Sequence, residues 1–265
     1  MMEILFYIGE GYLLIVVFMV MMQRHLMYHP SQSFDVNPAM HHIDVITYKT
    51  ADDLSLTSWY ISPKNNMPVF VLFHGNAGNI SNRVYKQEFF TKSGYGFLLA
   101  EYRGFGNNPG SPSEDGFYND ARAAMNWLIK TQKIDESRII IYGESIGSGP
   151  ASQMAVEYKK AKALILEAPF TSATNLASDI YPWLLAVKFL TFDKYDNIDK
   201  AAYFSMPVLI VNGDKDSVIP YVHGERLIQA VGSPIKKLVT LKGGNHTDLS
   251  DFGALGIMQN FIEGK

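Results

Sequence analysis

The chain has 265 residues, 47% of them hydrophobic and 18% charged, with a formal net charge of −3 and a pI near 6.2. That supplies one sizeable core, and the lack of a basic stripe argues against a nucleic-acid partner. There is no cysteine, which excludes disulfides, thiolate catalysis, cysteine zinc sites and S-palmitoylation but leaves the compartment open.

In chain order, the first predicted element is a hydrophobic helix. Ile4 to Met22 runs for 19 positions with a single charge, Glu10. A spanning helix needs about 20 predominantly apolar residues. A carboxylate near the middle of a span costs roughly 2.5–3.5 kcal/mol, and less toward an end. Arg24 and Tyr28 follow and suit the headgroup zone. A cleaved signal peptide fits poorly, because no basic residue precedes the run and no small-residue cleavage site follows it. We therefore expect residues 1–28 to be a membrane anchor, making its membrane contact through residues 4–22, ahead of a domain at 29–265. A helix lying in the interface, or one covered by a partner, is the alternative. Arg24 is the only strongly basic residue near either flank, so no charge bias sets an orientation.

From Ile43 onward the pattern changes to strands and helices. "IDVITYKT" and "LSLTSWYIS" alternate and read as two strands joined by a turn. "PVFVLFHG" is an apolar run that reads as a buried strand, and "YGFLLAEY", "RIIIYG", "KALILEA", "PVLIVNG" and, last, "KKLVTLKG" read as further strands. Between them lie helical stretches, including "ISNRVYKQEFFTKSG", with Gly94 as its stop, and "DGFYNDARAAMNWLIKTQ". In the latter, Phe117, Ala121, Ala124 and Leu128 share one face. Continuously apolar strands separated by helices predict an α/β fold, a mostly parallel sheet covered on both faces, with the first two strands as an antiparallel edge. The segment 171–206 breaks the alternation. It is dense in aromatics, and either a long crossover helix or a small lid accounts for it.

One strand-to-helix junction stands out, "RIIIYGESIGSGPA". A turn that lifts a side chain clear of a sheet strains the backbone, and bulky residues two positions before or after it would meet neighbouring backbone. Gly143 and Gly147 occupy those positions around Ser145, which makes Ser145 a candidate nucleophile. The next backbone N–H, that of Ile146, would point at a developing oxyanion. A second donor is expected from the loop "LFHGNAGN", through the N–H of Asn76, with that of Gly75 as the near alternative. A serine also needs a base and an acid. "LKGGNHTDL" after the last strand offers His246, and "VNGDKDSVIP" after the strand before it offers Asp214 and Asp216. The order Ser, Asp, His is one of several in which such a relay occurs.

Together, "FHGNAGN", "EYRGFGNNPGSPSEDGFYNDARAAMNWL", "IYGESIGSG", "EAPFTS", "VNGDKDSVIP" and "GGNHTDL" resemble the α/β-hydrolase superfamily. The likeness is to its serine aminopeptidase-like branch with an N-terminal membrane segment, which includes proteins similar to acyl-protein depalmitoylases. The resemblance covers roughly Pro68 to Leu249. It implies the α/β-hydrolase fold with a small lid, a catalytic triad of Ser145, Asp216 and His246, and an oxyanion hole from the Asn76 and Ile146 N–H groups. Two departures, "NNPG" and Glu101 where aspartate is usual, are expected to bear on substrate preference.

The activity implied is hydrolysis of carboxylic esters or thioesters through an acyl-enzyme, on a small-molecule or acyl-chain substrate that includes acyl chains presented at a membrane. A serine peptidase of the same fold and a membrane-tethered, non-catalytic binding protein are the alternatives. No cofactor is expected. "GFGNNPG" is one position too long for a dinucleotide fingerprint, and "HGNAGN" lacks the Lys-Ser/Thr of a P-loop. No metal is expected either, since adjacent His41 and His42, read as strand residues, would point to opposite faces. Nothing in the sequence sets an oligomeric state.

Overall fold

The computed structural model describes residues 2–184 and 190–265. Residue 1 of the expected anchor and residues 185–189 of the expected lid lie outside the described residues. The chain opens with α1 (Met2–Met27). This helix covers the predicted apolar run and extends it, and the stretch long and apolar enough to cross a membrane is Phe6–Met27. At 1.5 Å per residue those 22 residues measure about 33 Å, close to the ~30 Å of a hydrocarbon core.

Beyond α1, β1 (His29–Pro30) pairs in parallel with β5 (Ala77–Gly78). Two residues each are too few to leave a pattern in the sequence. The main sheet holds β2 (Asp44–Lys49), β3 (Ser55–Ile61), β4 (Val69–Phe73), β6 (Gly96–Ala100), β7 (Ile139–Glu144), β8 (Ala163–Glu167), β9 (Val208–Gly213) and β10 (Lys236–Leu241). Their spatial order is β10-β9-β8-β7-β4-β6-β3-β2. Every neighbouring pair from β10 to β6 is parallel. The β6–β3 and β3–β2 pairs are antiparallel, so the two alternating strands form the antiparallel edge.

The unbroken apolar runs follow from burial on both faces. Val69, Val71 and Phe73 of β4 join Ile139 and Ile141 of β7 in one layer, while Phe70 and Leu72 join Ile140 and Tyr142 in the other. The first layer is covered by α3 (Glu114–Asn126), α4 (Ser148–Glu157), α6 (Asn197–Ala201) and α7 (Val222–Ala230). The second is covered by α2 (Val84–Lys92) and α8 (Ala254–Glu263). In α3, the Ser113 hydroxyl oxygen accepts the Gly116 N–H at 3.1 Å, and Glu114 and Asp115 sit in the first turn, where the helix dipole favours them. Phe117, Ala121, Ala124 and Leu128 then enter the core together, and burying the phenylalanine alone contributes about 1.5–3 kcal/mol. One further helix, α5 (Ala173–Ile180), starts at the Ser172 cap. It is the first part of the segment that breaks the strand–helix alternation.

Candidate active site

β7 ends at Glu144, and Ser145 takes a left-handed backbone conformation at φ +54°. For a non-glycine residue that costs about 1–3 kcal/mol, so its surroundings must hold it there. They do so by close approach. A Cβ on Gly147 would lie 1.9 Å from the Phe73 carbonyl oxygen, and one on Gly143 would lie 2.6 Å from the Gly147 oxygen. The chain then turns directly into α4.

His246 lies on the loop after β10. Its Nε2 is 3.0 Å from Ser145 Oγ, and its Nδ1 is 2.7 Å from Asp216 Oδ2. The Asp216 side chain is fully buried. Its other oxygen accepts the N–H groups of Val218 and Ile219 at 2.8 and 2.7 Å. Asp214 points elsewhere: its Oδ1 accepts the Gly243 N–H at 2.7 Å, and its own N–H donates to Leu241 O at 3.1 Å. Asp214 therefore ties the loop after β9 to the loop after β10, and Asp216 faces the histidine.

The loop after β4 is fixed from two sides. The Asn76 side chain donates to the Met27 carbonyl at 2.9 Å, and the Asn76 carbonyl accepts the His29 N–H at 2.8 Å. From behind, Arg83 donates to the Ala77 carbonyl at 3.1 Å and to Glu144 Oε1 at 2.7 Å. Lys86 reaches the other Glu144 oxygen at 2.8 Å and also bonds Glu167 and the Tyr142 hydroxyl. Burial pushes the Glu144 carboxyl up, but the Arg83 and Lys86 cations more than offset it and hold it well below the usual carboxylate range. This charge cluster braces the residue before Ser145 against the loop that carries Asn76. The sequence reading missed it, because its oppositely charged partners lie 58 to 81 residues apart.

An apolar cavity of about 280 Å³ adjoins Ser145 and is bordered by Asn76 and Ile146. That is near the lower end of ordinary small-molecule pockets, about 300–1,000 Å³. Gly75 is not among the cavity-lining residues. Its carbonyl accepts a hydrogen bond from His74 Nδ1 at 2.8 Å. The two departures in sequence do not border the cavity either. Glu101 is buried against His74 Nε2 at 2.7 Å and the Ile80 N–H at 3.0 Å. Asn108 of "NNPG" brackets the backbone of Thr57 in β3. Both serve the scaffold through these bonds.

Known proteins share this architecture. Residues 68–188 match the alpha/beta hydrolase fold family. The chain is 36% identical over 241 residues to an uncharacterised protein of Mycobacterium tuberculosis, covering 88% of this chain and 84% of that one. It is 31% identical over 258 residues to the alpha/beta hydrolase domain-containing protein WAV2 of Arabidopsis thaliana, again covering 88% and 84%. The chain belongs to the α/β-hydrolase superfamily. Among solved structures, a Pyrococcus furiosus esterase shares the hydrolase fold at a TM-score of 0.72, with 16% identity, 89% of this chain and 97% of that one covered. Est1E of Butyrivibrio proteoclasticus, solved with ferulic acid, does so at 0.65, with 20% identity, covering 83% and 100%.

Two further features complete the description of this hydrolase. Among the described residues, no three His, Asp or Glu side chains gather as a metal-ligand set. His41 closes a 3-10 turn and His42 caps it at φ +55°, so neither lies on a strand. More consequential is the opposite cavity wall, which belongs to α1 through Val16, Met19 and Val20. The one signal for this in the sequence is polar. Tyr12 and Gln23 stand three helical turns apart on one face of a mainly apolar span, and they bond Trp183 O at 3.3 Å and Leu190 O at 3.2 Å. Polar residues in such a span mark a side turned toward protein.

Proposed function

We propose that this protein is a serine hydrolase of carboxylic esters or thioesters, acting through an acyl-enzyme on Ser145 with acyl-chain substrates at a membrane. The observation that carries the reading is the relay of 3.0 Å from Ser145 Oγ to His246 Nε2 and 2.7 Å from His246 Nδ1 to Asp216, beside an apolar cavity. His246 takes the Ser145 proton as Oγ bonds to the substrate carbonyl carbon. The oxyanion that develops on the carbonyl oxygen is received by the Asn76 and Ile146 N–H groups. Losing one such donor costs about 2.7–4 kcal/mol of transition-state stabilisation. Collapse of the tetrahedral species breaks the bond to the leaving alcohol or thiol, which takes the proton from His246. Water then attacks the acyl-enzyme, gives its proton to His246, and Ser145 leaves with that proton as the acid departs. Asp216 holds the imidazole in the tautomer that presents a bare Nε2 and stabilises the imidazolium.

In this reading residues 1–28 anchor residues 29–265 to the membrane, with α5 and the chain after it as a small lid. The test is hydrolysis of nitrophenyl esters from acetyl to palmitoyl by wild type and Ser145→Ala. Loss of the triad serine lowers kcat by about 10⁶, while the variant keeps its fold by circular dichroism. Turnover by Ser145→Ala close to wild type refutes the reading. A folded wild-type protein that neither turns over an ester nor takes a covalent probe on Ser145 supports a binding protein instead.

A further inference from the structure

α1 is mainly apolar, with Glu10, Tyr12, Gln23 and Arg24 among its polar residues, and its sides differ in surroundings. Leu13, Leu14, Val17 and Phe18 are exposed. Val16, Met19 and Val20 line the cavity beside Ser145. The spacing 16, 19, 20 is that of one helix face. The helix is held in this orientation by polar bonds at its C-terminal end. Gln23 Oε1 accepts the Phe192 N–H at 2.8 Å, Arg24 pairs with Asp193 at 2.9 Å, and the Tyr28 hydroxyl bonds Asp193 at 3.1 Å. The exposed apolar surface continues past the helix onto the cavity rim, where Ile180 and Tyr181 are exposed. An exposed apolar surface of this size, on a helix of membrane-crossing length, belongs in hydrocarbon. The same helix thus presents an exposed apolar side suited to lipid and lines the cavity with the other.

We propose that α1 gauges the acyl chain: one unbranched chain enters from the bilayer, lies along Val16, Met19 and Val20 with its carbonyl at Ser145, and those three side chains set the chain length accepted. The proposal rests on the serine-hydrolase reading above and adds the place and limit of its acyl subsite. The cavity of about 280 Å³ then bounds the length of chain that fits.

The experiment uses the full chain in detergent micelles with nitrophenyl esters of increasing acyl length. Met19→Trp shifts the preferred length downward, losing about fourfold in kcat/KM for each methylene that no longer fits. Met19→Ala shifts the preference upward. Val17→Trp, on the exposed face, leaves the profile unchanged. Vesicles carrying a lysophospholipid and vesicles carrying an S-acylated peptide then identify the source of the chain, with the same variant shifts in whichever is hydrolysed. Length profiles of Met19→Trp and Met19→Ala that both superimpose on an active wild type overturn the gauge and leave the Ser145 reading intact. A folded wild type that hydrolyses no ester and leaves Ser145 unlabelled overturns both. Should Met19→Trp fail to fold, Met19→Ala decides.

Discussion

Ser145, Asp216 and His246 are separate side chains until three loops meet, and each makes bonds that a single substitution can probe. In Asp216→Asn, the amide oxygen still accepts the Val218 and Ile219 N–H groups, so the fold is kept. The amide NH₂ then faces His246 Nδ1 and forces the tautomer that leaves Nε2 protonated. We predict a loss of about 10⁴ in kcat, the size of the effect of a wrong tautomer in such a relay. Asp214→Asn keeps an acceptor for the Gly243 N–H and should leave kcat close to wild type. Steady-state kinetics on the two variants check the ranking, and the reverse order reassigns the acid. Glu144 carries a prediction about stability. Its folded-state carboxyl titrates below the ordinary value of 4.5, so its contribution is present above 4.5 and is lost as pH falls through the folded value. In that window the unfolded chain binds the proton first. Glu144→Gln removes this titration and flattens the acid limb of the stability curve. At neutral pH it lowers stability by about 3 kcal/mol, because Arg83 and Lys86 lose a buried counter-charge. Denaturant unfolding in detergent across the pH range measures both effects, and an unchanged acid limb contradicts the assignment. Ser145 was legible in the sequence because Gly143 and Gly147 answer to sterics that any such turn imposes. Asp214 and Asp216 were not separable from residues alone, since they share a turn and differ only in which loop each faces.

Among the elements, α1 shows the widest gap between what the sequence states and what the structure adds. Its length and hydropathy are plain in the residues. Its orientation is not: Val16 and Met19 on the cavity side are no more apolar than Val17 and Phe18 on the exposed side, so a 3.6-residue period carries no direction. Only Tyr12 and Gln23 betray the protein-facing stripe. If the exposed side of α1 sits in lipid, alkaline carbonate should leave the protein in the membrane pellet. Its release into the supernatant would show that the helix is held by something else. The aromatics of the segment after β8 divide in a way composition could not foresee. Tyr195 is fully buried and bonds Tyr28 at 2.8 Å, while Trp183 and Phe192 remain exposed beside α1.

For the whole molecule, the sheet was readable because its physics is repetitive. Strands such as Val69–Phe73 are apolar at every position since both faces are covered, and a helix such as α3 announces itself through its Ser113 cap and its periodicity. The β1–β5 pairing and the charge cluster around Glu144 were not readable, the first for want of length and the second because its partners are distant in sequence. The place of β10 late in the chain has one more consequence. A protein is synthesised from its N-terminus, and domains tend to fold in that direction. In the membrane-anchored serine-hydrolase reading, α1 reaches the lipid while the loop bearing His246 is still unmade. The chain then acquires its address before its chemistry, and a ribosome-bound intermediate has no base to activate Ser145. Latency during synthesis then follows from the order of residues along the chain.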